Sequence, residues 1–418
     1  MKITADLHIH SRFSRATSSE LSIANLVKYA RLKGVSLLGT GDFTHPSWLR
    51  ELRSELAEDG SGILRTKDDF PFILSGEVAC IYSQDGSVKR IHNVILCPDF
   101  ETAEQINSAF AKRSVNLEAD GRPVTGIRSP ELVEMLREIN TSVEIIPAHV
   151  WTPWFSLFGS KSGFDRIEDC FQDQTKNIHA LETGLSSDPA MNWRISCLDR
   201  FALVSFSDSH SFWPWRIGRE ATLFELKELT YENLIGALRT KNGLAGTIEV
   251  DPSYGKYHYD GHRDCNVSLK PDESKGLHDI CPVCKRPLTI GVLHRVEELA
   301  DRPEGFVPEN ARPFHSLVPL SEMIAFAMKA GVSSGKVWDE YNKIVSAFGS
   351  ELSALIEASE DRLKAITHEK IAGMVIDARN GKIRVKPGYD GVYGELESGN
   401  RPSKKHEWAR PQKTLGDF

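Results

Sequence analysis

The sequence predicts an α/β fold in which parallel βα units close, or nearly close, into a barrel. Seven short apolar runs alternate with segments of helical periodicity, a pattern typical of repeated βα units. Nine acidic and histidine side chains fall at or near the ends of these runs, where such barrels carry their functional groups. The runs cover residues 3–10, 36–42, 71–77, 89–96, 143–149, 178–182 and 201–210.

Start and stop signals place helices between the apolar runs. Serine or threonine before an apolar stripe indicates an N-cap, proline is tolerated in the first turn, and glycine favours the C-terminal end. The predicted helices are 22–33 ending at Gly34, 47–58 opened by Pro46, 131–139 after the pair Ser129-Pro130, and 231–240 between Thr230 and Gly243.

Past Gly246 the periodicity changes, which predicts further domains. We expect the barrel over 1–250, a small zinc-binding module over 251–300 and a helical domain over 301–395. Three or four amphipathic helices are predicted in the helical domain, over 320–330, 336–348, 351–358 and 361–378. The segment 396–418 is polar, basic and proline-containing, and is predicted to be disordered.

The composition is that of a globular protein with room for two or three domains. The chain has 418 residues, 40% of them hydrophobic and 26% charged, with no run long enough to span a membrane and no signal-peptide pattern. We therefore expect a cytoplasmic protein. The net charge of −7 is uneven, with +4 over 361–418 and −11 over the rest, so it does not exclude a nucleic-acid partner.

The polar strand ends form a pattern typical of divalent metal ligands. His8 and His10 are two residues apart on a strand and therefore share a face, and Asp208 and His210 repeat this spacing. A buried carboxylate or imidazole is costly unless something compensates it, and bound Zn²⁺, Mg²⁺ or Mn²⁺ would do so. Two or three ions at such a site predict hydrolysis of a phosphate ester.

These residues resemble the PHP (polymerase and histidinol phosphatase) family, through DLHIH, GTGD, the glutamate after the third run, later single histidines and a closing DSH. The resemblance implies a distorted seven-stranded βα barrel with catalytic Glu77, Asp208 and His210. It implies one ion on His8, His10, Glu77 and Asp208, a second on Glu77, His92 and His149, and a third near Asp42 and His210.

Two features depart from the family pattern. Phe43 stands directly after Asp42, where the family usually has histidine, and the nearest histidine is His45. Glu182 is not a ligand of the family, and it would either support a ligand or face the substrate. His45 and Glu182 are both counted among the residues expected to bind substrate.

A second motif predicts structural zinc. His262, Cys265, Cys281 and Cys284 form H-x₂-C-x₁₅-C-x₂-C, which is typical of a tetrahedral site in a segment too short for its own core. His258 and His278 are the alternatives for the histidine ligand. The remaining cysteines (Cys80, Cys97, Cys170 and Cys197) are scattered and expected to be reduced.

Aromatic residues interleaved with cations near the predicted barrel mouth favour a pocket for a base and its phosphate. The same aromatic residues could instead be rim and core of the barrel. The set comprises Trp151, Trp154, Phe155, Phe212, Trp213 and Trp215, with Lys161, Arg216 and Arg219.

Over residues 1–395 the chain resembles the endonuclease Q family, most specifically in CPVCKRPLTIGVLHRVEELADRP and KPGYDGVYGE. The resemblance implies cleavage of DNA on the 5′ side of uracil, hypoxanthine, xanthine and abasic sites. It implies double-stranded DNA as partner. We further expect a monomer, a processivity clamp as a further candidate partner, and C-terminal helices whose Lys and Arg residues over 361–386 clamp the flanking duplex. The alternatives are a small-molecule phosphoesterase and a non-catalytic nucleic-acid binding module.

Overall fold

The fold of this protein is a mixed α/β architecture followed by a C-terminal helical region, as the sequence predicts. The computed structural model describes residues 1–397, so nearly all of the tail predicted to be disordered lies outside the described residues. Within the described range the strands are β1 (Lys2–Asp6), β2 (Leu37–Gly39), β3 (Ala57–Glu58), β4 (Leu64–Arg65), β5 (Pro71–Gln84), β6 (Ser87–Cys97), β7 (Val124–Thr125), β8 (Glu144–Pro147), β9 (Ala180–Glu182), β10 (Ala202–Val204), β11 (Ala221–Glu225), β12 (Leu244–Glu249), β13 (Asp260–His262), β14 (Val267–Leu269), β15 (Phe314–Ser316), β16 (Val385–Lys386) and β17 (Glu395–Leu396).

Helices connect most of the strands and dominate the C-terminal region. In chain order they are α1 (Ile23–Lys33), α2 (Pro46–Glu55), α3 (Phe100–Lys112), α4 (Ser129–Ile139), α5 (Ile167–Phe171), α6 (Pro189–Asn192), α7 (Tyr231–Thr240), α8 (Pro271–Gly276), α9 (Val292–Leu299), α10 (Leu320–Met328), α11 (Gly335–Phe348), α12 (Glu351–Ile356), α13 (Glu360–Ile366) and α14 (Glu369–Arg379). None of the helices in residues 1–397 has the length and apolar character needed to cross a bilayer.

Each of the apolar runs contains a strand, but the strands are not all parallel. The main sheet follows the order β15-β12-β11-β1-β2-β5-β4-β3, with β6 between β5 and β8 and with β7 paired to β5. β1 pairs with β2 in parallel, whereas β6 is antiparallel to both β5 and β8. The prediction of uniformly parallel βα units is therefore wrong for the 89–96 run.

A tight turn explains that correction. Only Asp85 and Gly86 separate β5 from β6, and both have positive φ angles, 51° and 76°, as in the type I′ turn that favours hairpins. No helix fits in two residues. The hairpin also carries β5 on to Gln84, seven residues past the predicted end of that strand at Glu77.

Backbone hydrogen bonds connect the remaining strands, β8, β9 and β10, to one another and to the segment after β1. β9 and β10 form a parallel pair. The N–H of Val150, just after β8, donates to the carbonyl of Glu182 at 3.0 Å, and the N–H of His10 donates to the carbonyl of Ser209 at 2.9 Å. The segments after β1, β8, β9 and β10 therefore meet at one end of the strands.

Several helix boundaries differ from the predicted ones for local reasons. Ser22 and Thr230 cap α1 and α7 through their side chains, as predicted. Arg128, and not Ser129, is the N-cap residue of α4. The predicted helix 361–378 is two helices, because the chain is extended at Thr367 and His368 between α13 and α14. Helix α3, capped by the Asp99 side chain, has no counterpart among the predicted helices.

A buried ion pair joins the C-terminal helices to the strands and helices of the N-terminal region. Lys33 at the end of α1 and Glu351 at the start of α12 are both buried, and Lys33 Nζ lies 2.8 Å from Glu351 Oε1. Lys33 also donates to the carbonyl of Pro214, and Glu351 accepts from the N–H of Leu320 and the hydroxyl of Tyr341. β15 adds a strand to the main sheet through β12. The exact domain boundaries stay a prediction.

We expect Lys33→Met to lower the free energy of unfolding by about 3–5 kcal/mol, because it leaves the Glu351 carboxylate buried without its cation. Urea unfolding followed by circular dichroism would measure the change. Arg31→Met is the matched control on the same helix, since Arg31 and Asp68 form an exposed pair worth at most about 1 kcal/mol. Equal losses for the two variants would contradict the prediction.

Candidate metal centre

Four side chains from separate segments converge at the end of the strands. His8 and His10 follow β1, Glu77 projects from β5, and Asp208 lies four residues past β10. One ligand atom from each of the four lies within 4.8 Å of the others. His8, His10 and Glu77 are buried, and Asp208 is about one-third exposed on its side chain. The residues that the sequence assigned to a first ion therefore do lie together.

A second group shares Glu77 with the first. His92 Nδ1 lies 2.6 Å and His149 Nε2 lies 3.2 Å from Glu77 Oε1. The other carboxylate oxygen, Oε2, faces His10 Nε2 at 3.4 Å and His8 Nε2 at 3.7 Å. Because each oxygen faces a different group, Glu77 has the geometry of a carboxylate that bridges two ions.

The position of His8 in the first group fits a bound ion better than a direct hydrogen bond. His8 Nε2 is buried without a hydrogen-bond partner, at 3.7 Å from both Glu77 Oε2 and Asp208 Oδ1. Two ligands that each sit about 2.1 Å from a tetrahedral ion are about 3.4 Å apart. A shared cation would therefore satisfy the buried nitrogen that has no partner.

The ladder between β5 and β6 explains why Glu77 and His92 face the same centre. His92 lies directly opposite Ala79, two residues beyond Glu77, and alternate residues of a strand share one face. His92 therefore points toward the site from within its strand, which accounts for its departure from the strand-end pattern.

Two buried carboxylates support the histidines from behind. Glu182 accepts a hydrogen bond from His8 Nδ1 at 2.9 Å and from the N–H of His149 at 2.7 Å. Asp42 Oδ1 accepts from His10 Nδ1 at 3.0 Å. Such partners fix the tautomer and orientation of a metal-binding histidine. Of the two roles left open for Glu182, the structure favours support of a ligand.

The expected third ion finds less support in the described residues. Asp42 Oδ2 already accepts hydrogen bonds from Ser11 and Ser14, and His210 Nδ1 lies 3.0 Å from the carbonyl of Asp208. Asp42 and His210 belong to no group of three or more converging ligands within residues 1–397. His45 is buried against the ring of Phe13, with centroids 4.3 Å apart. A third ion stays a prediction.

The charges of the site keep its carboxylates ionised. Burial acts to raise the pKa of Glu77, but His92, Arg122 and His8 together hold it well below its ordinary value. Burial likewise opposes ionisation of Asp208, and contacts with His10 and His8 hold its pKa low. Burial lowers the pKa of His92 to about 4. Burial also acts to lower the pKa of His8, but Glu182 and Glu77 raise it well above its ordinary value.

Sequence reasoning missed Arg122, which reaches the same centre. Its Nη1 donates to Glu77 Oε2 at 3.0 Å, while a quarter of the side chain stays exposed. Hydrogen bonds tie the preceding Gly121 to the carbonyl of Phe13 and the hydroxyl of Thr44, close to Asp42. No metal-ligand or strand pattern marks Arg122, because it lies in a loop before β7.

The aromatic residues divide into core and surface. Trp151 is only 1% exposed and donates to Asn192, and Phe212 is buried, so neither offers a free face to a base. Trp154 and Phe155 are half-buried, with Phe155 at 4.7 Å from the ring of His92. The remaining members of the set are half-buried Trp213, Trp215, Arg216 and Arg219 and the exposed Lys161.

The structure also places Trp213 and Trp215 in an aromatic cluster. Their rings stack 5.2 Å apart and both contact Trp338 of α11. The core and rim interpretation that the sequence left open therefore applies to much of this set.

The predicted zinc ligands converge beside the β13–β14 hairpin. His262, Cys265, Cys281 and Cys284 form one group, with Cys284 Sγ 3.9 Å from His262 Nε2. The alternatives lie elsewhere, since His258 is buried against Tyr259 and His278 is exposed. The hydrophobic cluster around these ligands has only four buried residues (Val267, Leu269, Cys281 and Leu288), so a bound ion would provide much of its cohesion.

Comparison with known proteins extends over almost the whole chain. A family model described as the MJ0043 C-terminal domain matches residues 319–382. The chain is 35% identical over 272 residues to the uncharacterized protein MJ0043 of Methanocaldococcus jannaschii, covering 63% of this chain but only 33% of that protein. It is 28% identical over 417 residues to the uncharacterized protein YqxK of Bacillus subtilis, covering 95% and 99% of the two chains.

Comparison with solved structures identifies the family to which the chain belongs. The lesion-specific endonuclease PfuEndoQ of Pyrococcus furiosus superposes with a TM-score of 0.85 at 32% identity, over 95% of each chain. A complex of endonuclease Q with a 27-mer duplex that carries an abasic lesion at the active site gives the same TM-score and identity, over 95% and 96% of the chains. The present chain belongs to the endonuclease Q family.

Proposed function

We propose that this protein is a DNA repair endonuclease that hydrolyses the phosphodiester on the 5′ side of uracil, hypoxanthine, xanthine and abasic sites. The observation that carries the proposal is the pair of ligand groups joined through Glu77, at the centre of a chain similar over 95% of its length to a lesion-specific endonuclease. The proposal includes the distorted seven-stranded barrel that these ligands would line.

Two groups of residues would hold the ions of this centre. His8, His10, Glu77 and Asp208 would bind one divalent ion, and Glu77, His92 and His149 a second. Divalent ions at this position would activate water at neutral pH and neutralise charge on the phosphate. Zn²⁺, Mg²⁺ and Mn²⁺ all suit imidazole and carboxylate ligands, and a third ion near Asp42 and His210 is part of the proposal.

The protein's own side chains would prepare this centre for a phosphodiester. Glu182 and Asp42 hold His8 and His10 in one orientation through their Nδ1 atoms. Arg122 offers a cation that is partly exposed beside Glu77, where guanidinium donors would bind a non-bridging phosphate oxygen. His210, next to Asp208 at the exposed side of the group, is our candidate for proton transfer.

Access to a base inside a duplex requires that the nucleotide leave the stack, at a cost of a few kcal/mol. Trp154 and Phe155 are half-buried and follow His149 by five and six residues, so they are the best candidates for contact with an extruded base. Exposed cations of the helical domain, among them Lys364, Lys370 and Lys382, would bind the flanking duplex.

We expect Trp154→Ala to reduce the preference for uracil over cytosine about tenfold, since aromatic stacking on a base contributes about 1–3 kcal/mol. The measurement is kcat/KM on duplexes that differ only in that base. Trp193→Ala is the matched control, because Trp193 is also half-buried but packs on Phe314, away from the ligands. An unchanged preference in Trp154→Ala would remove this residue from the pocket.

A nicking assay tests the proposed function directly. Duplexes with one uracil, one hypoxanthine, one abasic site or no lesion are incubated with the protein and Mg²⁺, Mn²⁺ or Zn²⁺. We expect one nick on the 5′ side of each lesion and none in undamaged DNA. Turnover of p-nitrophenyl phosphate without any cleavage of DNA would support a small-molecule phosphoesterase instead.

A further inference from the structure

The PGYDGVYG segment between β16 and β17 forms a hairpin loop fixed against the start of the zinc-binding module. Asp390 and Gly391 have positive φ angles, 40° and 86°, and Tyr389 and Val392 exchange two backbone hydrogen bonds across them. This is the geometry of a type I′ turn, which the Asp-Gly pair favours. The loop therefore has a defined conformation of its own.

Backbone contacts hold the loop in place on its inner side. The N–H groups of Gly388 and Gly394 donate to the carbonyls of Ser253 and Tyr254, and the N–H of Gly391 donates to Lys256. A Cβ at Gly388 or Gly394 would overlap backbone oxygen atoms of the 253–255 segment, so glycine is required at both positions. The Tyr389 hydroxyl adds a hydrogen bond to Asn266.

In contrast, the outer side of the loop carries two large side chains in solvent. Tyr393 is 50% exposed and Val392 is 38% exposed. The ammonium group of Lys256 lies 4.7 Å from the centre of the Tyr393 ring. Tyrosine is one of the residue types enriched at the energetically dominant positions of binding surfaces.

The segment beneath the loop extends to the metal centre from two directions. Gly255 packs on the backbone of Leu185 and Ser186, which follow Glu182. Tyr257 contacts Trp154, with ring centroids 5.4 Å apart, and Trp154 follows His149.

The charge around the hairpin suits a nucleic acid. Lys382, Arg384 and Lys386 are exposed at alternate positions leading into the loop, and none forms an ion pair with another residue in the described range. On the side of the metal centre, Arg219 donates to the carbonyl of Ser207 at 3.0 Å, next to Asp208. Exposed cations beside an aromatic ring would bind phosphates while the ring contacts bases.

We propose that Tyr393, at the tip of this hairpin and supported by Val392, enters the base stack of the duplex and fills the space left by the extruded nucleotide. The inference rests on the proposed function and adds a duplex-opening element to the same site. Apolar and aromatic side chains that enter a base step compensate part of the cost of unstacking. The ring would therefore stabilise the open duplex without touching the reacting atoms.

The test compares paired and already open DNA. Tyr393→Ala should lower kcat/KM about tenfold on a duplex with a paired uracil, in line with the strength of base–aromatic stacking. On the same duplex with the uracil inside an unpaired bubble, cleavage should change less than twofold, because the stack is already open. Tyr393→Phe should keep the activity of the unaltered protein on both.

A matched control is available at the other end of the strands. Phe306 is 37% exposed with Arg302 Cζ 4.3 Å from its ring, and Arg302 binds Asp199, which precedes β10. Phe306→Ala should leave both substrates unaffected. Fluorescence of 2-aminopurine opposite the lesion would report unstacking on binding, and this signal should fall in Tyr393→Ala.

The other outcomes would overturn the inference. Equal losses on paired and bubble DNA would place Tyr393 in the cleavage step, and full activity on both would show that the surface contacts something other than the base stack. If the unaltered protein cleaves neither substrate, the proposed function fails and this inference fails with it. Activity of the unaltered protein on bubble DNA therefore separates the two failures.

Discussion

Glu77→Gln is expected to lower the rate of lesion-dependent nicking roughly a thousandfold or more, because several kcal/mol of transition-state stabilisation depend on the bound ions. Each oxygen of Glu77 faces a different ligand group, so one substitution weakens both sites. An amide keeps the shape of the side chain but gives up the negative charge. Single-turnover nicking and the metal content of purified protein are the two measurements.

Glu144→Gln is the matched control for Glu77→Gln. Glu144 is also buried with a histidine and an arginine, at 2.7 Å from His179 Nδ1 and 2.8 Å from Arg239 Nε. It lies at the start of β8, whereas His149 follows the other end of that strand. We expect this control to lose stability but to retain metal and nicking below its unfolding temperature. Full activity of Glu77→Gln would contradict the proposed centre.

His262→Ala is expected to remove one zinc ion per chain and to unfold the module around it. Structural zinc contributes about 10–16 kcal/mol in isolated zinc-finger peptides, and the four buried hydrophobic residues here cannot replace it. Elemental analysis would show one zinc fewer than in the unaltered protein. Hydrogen exchange should become fast across 260–290 while the strands around Glu77 stay protected.

The alternative histidines provide the controls for the zinc prediction. His278→Ala removes an exposed side chain that lies outside the ligand group, so it should leave the zinc content unchanged. Cys281→Ser should repeat the effect of His262→Ala, because Cys281 is both a ligand candidate and a buried core residue. If His262→Ala kept all of its zinc, the histidine ligand would be His258 or His278 and not His262.

The sequence predicted the ligands better than their surroundings. The spacing in His8-x-His10 is local and therefore readable from the chain, and both side chains do reach one ligand group. The zinc motif and the caps of α1 and α7 are local in the same way. The same spacing in Asp208-x-His210 did not bring both residues into a ligand group, since Asp208 lies past β10 with a φ of 47° and His210 belongs to no such group within residues 1–397. The prediction of parallel strands was wrong for β5 and β6, which are antiparallel. The two-residue turn at Asp85-Gly86 joins them directly, where the sequence pattern had suggested a connecting helix.

Long-range contacts account for what the sequence could not predict. Arg122 carries no motif, and it reaches Glu77 only because its loop is tied to Phe13 and Thr44. Trp151 and Trp154 are three residues apart, yet one is in the core and the other is half-exposed. Burial of a side chain depends on which distant segments cover it, and a local pattern does not contain that information.

The order of residues along the chain is enough to say which imidazoles, carboxylates and thiols are available, and which of them lie two or three residues apart in a metal-ligand spacing. How these groups combine depends on the folded chain, which places Glu77 between two ligand groups and Glu182 and Asp42 behind the histidines. The physical reason is that ligand identity is a property of single residues, whereas bridging, orientation and exposure depend on the relative positions of segments that are far apart in the chain.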